Sequence, residues 1–177
     1  IKLNPRSLQF RHLFPGQSIY GTVVADRQGN ICTFNNLNQV LLDPKPFWSP
    51  GLPFLPALNG LLDNAKILED GSGNYWVAGI ERKTWLFNLI KTDADGRLIR
   101  FAVPATTRFQ GYLIAAFDER KHPWLSVDSR LIHFDPAVDS FEVFDFQQFL
   151  PEMNISTALA QSPDGAWWIG MEKGLVQ

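Results

Sequence analysis

Short apolar runs separated by polar, turn-forming clusters recur along the whole chain. Val23-Val24-Ala25 leads through Asp26-Arg27-Gln28-Gly29-Asn30 into Ile31-Cys32, and Ile67-Leu68-Glu69 through Asp70-Gly71-Ser72-Gly73-Asn74 into Tyr75-Trp76. Ala115-Ala116-Phe117 passes through Asp118-Glu119-Arg120-Lys121-His122 to Pro123-Trp124, and Leu159-Ala160-Gln161 through Ser162-Pro163-Asp164-Gly165-Ala166 to Trp167-Trp168. Each unit predicts a strand, a turn of residues that tolerate positive φ, and a second strand carrying an aromatic. Cys32 stands where the other three copies have Trp.

The steps between Cys32, Trp76, Trp124 and Trp168 are 44, 48 and 44 residues. Asp43-Pro44 and Asp135-Pro136 each begin 11 residues after their marker, which fixes a second point in the same register. A period of this length with several short strands per unit predicts an all-β chain, a β-propeller fragment of about four blades, each a four-stranded antiparallel sheet. Blade one is expected at about 18–60, blade two at 61–107, blade three at 108–150 and a truncated blade four at 151–177. Blade two predicts strands at Ala65–Glu69, Tyr75–Gly79, Trp85–Ile90 and Arg97–Val103. Blade three predicts Tyr112–Phe117, Pro123–Val127, Arg130–Phe134 and Ser140–Phe146, the last alternating as a half-buried strand. Residues 7–13 also read as a strand, expected to close the last blade or to pair with a second copy of the chain in a homodimer through the propeller edges. A chain that starts at Ile1 and stops inside a third strand reads as a processed or engineered fragment.

Apolar residues make up 45% and charged residues 19%, so the chain can bury a core. Fourteen Phe, six Trp and three Tyr against two Met favour strands, whose pleated faces suit aromatic packing. A net charge of −2 argues against nucleic-acid binding and against an anionic membrane surface. One cysteine allows neither an internal disulfide nor a Cys-based zinc site. No apolar run approaches the roughly 20 residues that cross a bilayer, so no membrane contact is expected within 1–177.

Asp164-Gly165-Ala166-Trp167-Trp168-Ile169-Gly170 followed by Gly174-Leu175 resembles the two-component regulator propeller repeat, and Asp70 to Gly79 is similar. Asp118 to Val127 is a weaker copy, continued by Arg130 to Pro136, and Phe10-Arg11-His12-Leu13 resembles the usual start of such regions. The resemblance spans about residues 7–177. It implies a periplasmic sensor region of a membrane-bound bacterial signalling protein, often a hybrid two-component system with a histidine kinase, responding to glycan-derived oligosaccharides. A second resemblance, of Asp70–Trp76 with Asp95–Pro104 to a blade of virginiamycin B lyase, implies the alternative of a propeller lyase or glycoside hydrolase fragment. A protein-interaction platform is a third reading.

No nucleophile elbow, phosphate loop or zinc motif is present, so no catalytic residue, cofactor or metal is expected. His12, His122 and His133 read as scattered over different units. Asp70, Asp118 and Asp164 read as occupying one turn position in successive blades and bonding their own backbone. Trp76, Trp124 and Trp168 read as packing between blades, with sugar stacking as the competing role. Alternating strand direction puts the tidy turns at one end and the irregular loops at the other, where binding usually resides. Those loops carry Arg82, Lys83, Arg130 and Lys173, the expected contacts for an acidic oligosaccharide. An insert from Pro44 to Asn64 adds Trp48 and Phe54, which either cover blade one or offer stacking surfaces.

Overall fold

The computed structural model describes residues 23–25, 31–34, 40–43, 61–93, 97–104, 113–150 and 156–177. They form four separate antiparallel sheets, each built in sequence order. Sheet one is β1 (Val24–Ala25), β2 (Ile31–Phe34) and β3 (Val40–Asp43). Sheet two is β4 (Leu62–Glu69), β5 (Tyr75–Glu81), β6 (Phe87–Thr92) and β7 (Leu98–Ala102). Sheet three is β8 (Leu113–Phe117), β9 (Pro123–Val127), β10 (Arg130–Asp135) and β11 (Ser140–Asp145). Sheet four is β12 (Ser156–Gln161), β13 (Trp167–Met171) and β14 (Gly174–Val176). A single 3-10 turn, Phe146–Gln148, follows β11. This is a β-propeller arrangement, and the sheets are its blades. The expected strand at residues 7–13 and most of the insert lie outside the described residues, although the insert's end, from Leu62, belongs to β4.

First strands lie side by side, β4 next to β8 and β8 next to β12. Contact of Trp76, just after the turn at 70–74, with Phe134, near the end of β10, fixes the direction of blade two relative to blade three, and two bonds fix that of β8 relative to β12. Ser126 Oγ, on β9 opposite Ile114 near the start of β8, donates to Ser156 Oγ at the start of β12 at 2.8 Å, and Glu119 N, just beyond β8, donates to Gln161 Oε1 at the end of β12 at 3.2 Å. The first strands therefore run parallel, and all β-hairpins of one kind gather at one end. The turns at 70–74, 118–122 and 162–166 share the turn end. The loops at 82–86, 128–129 and 172–173 share the opposite, loop end.

The core is the stacking of blade upon blade. From blade two, Trp76, Ala78, Ile80, Phe87 and Leu89 pack against Leu113, Leu125, Val127, Ile132 and Phe134 of blade three. Every residue from Tyr75 to Ile80 is buried, so β5 is covered on both faces, which explains its continuous apolar run. The opposite face of blade three meets blade four through Leu131 against Ile169 and Met171. The alternation expected along β11 is weaker than the pattern implies: Val143 and Phe144 are exposed and only Phe141 packs on the core.

The repeating Trp behaves differently in each blade. Trp76 is 2% exposed and stacks with Phe101 at 6.0 Å and tilts against Phe134 of blade three at 5.7 Å. Trp124 meets Trp167 of blade four at 4.9 Å. Trp168 holds the corresponding position of blade four. It is 36% exposed, on the face of blade four turned away from blade three, and its neighbour Trp167 makes the inter-blade contact.

Two glycines show why the repeat carries Gly in its second strand. A Cβ at Gly79 would stand 3.0 Å from Leu62 Cβ and 3.2 Å from the Asp63 carbonyl oxygen. A Cβ at Gly170 would stand 3.1 Å from Ala158 Cβ. In both blades the partner strand is bulged at that point, between Asp63 and Lys66 and between Ser156 and Ala158. The bulge brings one backbone onto the other, and only Gly leaves room. Gly79→Ala is expected to destabilise the chain by roughly 1–3 kcal/mol through overpacking; urea denaturation checks this, and an unchanged midpoint would show that the bulge yields freely.

Candidate functional site

The loop end is built by the β5–β6 loop, the β9–β10 turn and the β13–β14 turn. Arg82 N donates to the Leu61 carbonyl at 3.1 Å, and Trp85 N to the Glu81 carbonyl at 2.8 Å. These bonds fold residues 82–86 into a tight projecting loop. Trp85 is therefore not the first residue of a strand, as its sequence suggests; β6 begins at Phe87. Trp85 takes φ of 59°, a left-handed conformation that costs a bulky side chain about 1–2 kcal/mol, and its side chain is 68% exposed. Leu86 beside it is 55% exposed. Backbone strain that presents a large aromatic to solvent is characteristic of functional loops.

The basic residues expected at this end, Arg82, Lys83, Arg130 and Lys173, all lie on it, whereas Trp48 lies outside the described residues. Arg82 and Arg130 are fastened to carboxylates of their own blades. Arg82 Nε meets Asp63 Oδ1 at 2.9 Å, and Arg130 Nε meets Asp145 Oδ2 at 3.2 Å. Asp145 also accepts from Gln147 N at 3.0 Å and so caps the 3-10 turn. That backbone bond is the largest influence, and with the Arg130 guanidinium it outweighs the opposing effect of desolvation and holds the carboxyl below the ordinary range. Lys83 and Lys173 are exposed. Phe149, just beyond the 3-10 turn, is 80% exposed at the same end. The loop end thus joins oriented guanidinium groups with bare aromatic rings, a combination suited to polyhydroxylated or acidic ligands. Trp85 and Phe149 were not singled out by the sequence; an aromatic directly after the charged loop Glu81–Thr84 is the signal that marks Trp85.

The turn end is chemically different. Asp70 N bonds the Asn74 carbonyl at 3.1 Å, Asp118 N bonds the His122 carbonyl at 3.2 Å, and Ser162 N bonds the Ala166 carbonyl at 2.9 Å. The position shared by the blades is therefore Asp70, Asp118 and Ser162. Asp164 lies two residues on, where it bonds the Ser162 hydroxyl instead. Desolvation alone would raise the Asp70 carboxyl. It is outweighed by bonds from the Asn74 amide at 2.7 Å and from the backbone N–H groups of Ser72 at 2.7 Å and Asn74 at 3.2 Å, so the net shift is downward. The Trp76 indole N–H turns toward the same carboxylate but completes no hydrogen bond. A carboxylate lowered on folding adds stability that is present above about pH 4, the ordinary unfolded value, and lost as pH falls through the lowered value. Asp70→Asn is expected to flatten that acid limb; pH-dependent urea unfolding reads it, and an unchanged acid slope would contradict it.

His122 and His133, which look scattered in sequence, meet at this end; His12 lies outside the described residues. The β9–β10 register sets His133 opposite Trp124, and the turn brings His122 alongside. The His122 and His133 rings stack at 5.6 Å and those of His133 and Trp124 at 4.5 Å. Asp118 Oδ1 accepts from His122 N at 2.9 Å and Oδ2 from the Trp124 indole at 3.2 Å. Asp118, His122 and His133 each place one donor atom within 4.8 Å of the others'. His133 Nε2 is buried without a hydrogen-bond partner, which ordinarily costs about 1–3 kcal/mol.

The class defined by this architecture is the blade-on-blade β-propeller, and solved structures of that kind share it. The chain superposes on the extracellular domain of BT3049 of B. thetaiotaomicron, assigned as a hybrid two-component system, with a TM-score of 0.59 and 16% identity over 94% of this chain. It likewise superposes on the extracellular domain of BT4673 of B. thetaiotaomicron, assigned as a one-component system, with a TM-score of 0.55 and 14% identity over 89% of this chain. The match covers 23% and 22% of those two chains, so this chain spans less than a quarter of their length. No protein-family model and no curated relative matches the chain. Among the described residues no helix is long and apolar enough to cross a membrane.

Proposed function

We propose that the chain is part of an extracytoplasmic, periplasmic sensor propeller of a bacterial two-component signalling protein, and that its loop end contributes to binding a glycan-derived oligosaccharide. The fold shared with two extracellular signalling domains supports the sensor role. The exposed, left-handed Trp85 beside Arg82 and Lys83 is the observation that carries the ligand class. A Trp face offers apolar area to the C–H face of a sugar ring, and guanidinium and ammonium groups bond its hydroxyl and carboxylate oxygens. Arg82, already oriented by Asp63, can offer its terminal nitrogens without first being ordered. A glycan array probed with the chain tests the reading. Binding to oligosaccharides that is lost in Trp85→Ala supports it. An array without signal, with capture of a protein partner instead, points to an interaction platform and overturns it.

A further inference from the structure

We propose that Asp118, His122 and His133 bind one divalent transition-metal cation of the zinc class at the turn end of blade three. This site lies at the opposite end of the blades from the proposed ligand face and stands independently of it.

Blade two shows what these positions do when they need no ion. Asp70 and Asn74 stand as Asp118 and His122 do, and Lys91 pairs with Trp76 as His133 pairs with Trp124. There the Asn74 amide bonds Asp70 Oδ2 at 2.7 Å, and the Lys91 ammonium sits 5.1 Å from the centre of the Trp76 ring. Blade two therefore carries its own hydrogen-bond donor and its own cation. Blade three replaces both with imidazoles, each able to offer a neutral nitrogen lone pair beside a carboxylate.

The donor set fits the chemistry. Two imidazoles and one carboxylate suit zinc, copper or nickel and not magnesium or calcium, which prefer oxygen ligands. Ligands about 2.0–2.2 Å from a tetrahedral zinc ion stand about 3.4 Å apart, so side-chain rotations that close the cluster by up to roughly 1.4 Å complete the site. The outer groups are in place as well. The Trp124 indole holds Asp118 Oδ2, and Glu142 Oε2 lies 3.8 Å from His133 Nδ1. That leaves the buried, unpartnered Nε2 of His133 as the nitrogen that faces the ion. A carboxylate behind a ligating histidine fixes its ring and raises its basicity. Three protein ligands leave the remaining coordination to water.

Isothermal titration of the chain with zinc chloride in a non-chelating buffer tests the site, with circular dichroism to show that each variant folds. The expected result is one equivalent bound saturably. His122→Ala and His133→Ala should each weaken binding at least about tenfold, and His12→Ala should leave it unchanged. His122 lies in a half-buried turn, so its variant reports on the site even if His133→Ala perturbs the Trp124 stack. No saturable binding by the unaltered chain, or binding unchanged in His122→Ala and His133→Ala, would overturn the proposal.

Discussion

Trp76→Ala is expected to destabilise the chain by about 3–5 kcal/mol, the loss that follows removal of a fully buried indole. Trp76 sits where two blades meet, against Phe101 of its own blade and Phe134 of the next, and those two rings touch each other at 4.6 Å. Truncation opens a cavity lined by aromatic faces that cannot collapse without shifting a blade. A loss of this size is comparable with the whole stability of many domains, about 5–15 kcal/mol, so milder replacements belong beside it. Trp76→Phe keeps a ring in the stack and removes an indole N–H that has no partner; it should cost less than about 2 kcal/mol. Trp168→Ala, at the same register position of blade four but on an exposed face, should cost less than about 1 kcal/mol. Urea denaturation gives the order. Equal losses at Trp76 and Trp168 would contradict inter-blade packing as the role of the repeating Trp.

Trp85 gives the second large effect, and its two readouts move in opposite directions. Trp85→Gly removes the left-handed strain, so stability should rise by about 1 kcal/mol. The same change removes the exposed ring, so affinity for an array-positive oligosaccharide should fall at least about tenfold, or about 1.4 kcal/mol. Higher stability with lower affinity is the signature of strain kept for function. A Trp85→Gly variant that is less stable, or that binds as well as the parent chain, removes Trp85 from the site.

The blade period was legible because the turn residues and the aromatic marker recur at fixed spacing, and β9 coincides with the expected Pro123–Val127. The same pattern misplaced Trp85. An apolar residue before a strand looks like part of it, and only the bond from Trp85 N to the Glu81 carbonyl turns it outward. Asp164 was misread as the partner of Asp70 because the Asp-Gly pair is the more conspicuous feature; the backbone bonds select Ser162. Trp167 and Trp168 cannot be told apart by composition, since which of two neighbouring residues faces blade three depends on strand register. The Asp118, His122 and His133 cluster was invisible for a similar reason. It requires knowing that β10 sets His133 opposite Trp124, next to a turn that ends 11 residues earlier. Alternating strand direction sufficed to group Arg82, Lys83, Arg130 and Lys173 at one end, but not to reveal the tethers of Arg82 and Arg130, because the acidic partners Asp63 and Asp145 lie on other strands of the same blade.

The claim that ligand is read at the loop end is tested most directly by backbone amide shifts in the NMR spectrum during titration with an array-positive oligosaccharide. The account predicts perturbation at residues 82–86, 128–130 and 172–174, with the turns at 70–74, 118–122 and 162–166 unmoved. Shifts confined to those turns would contradict it.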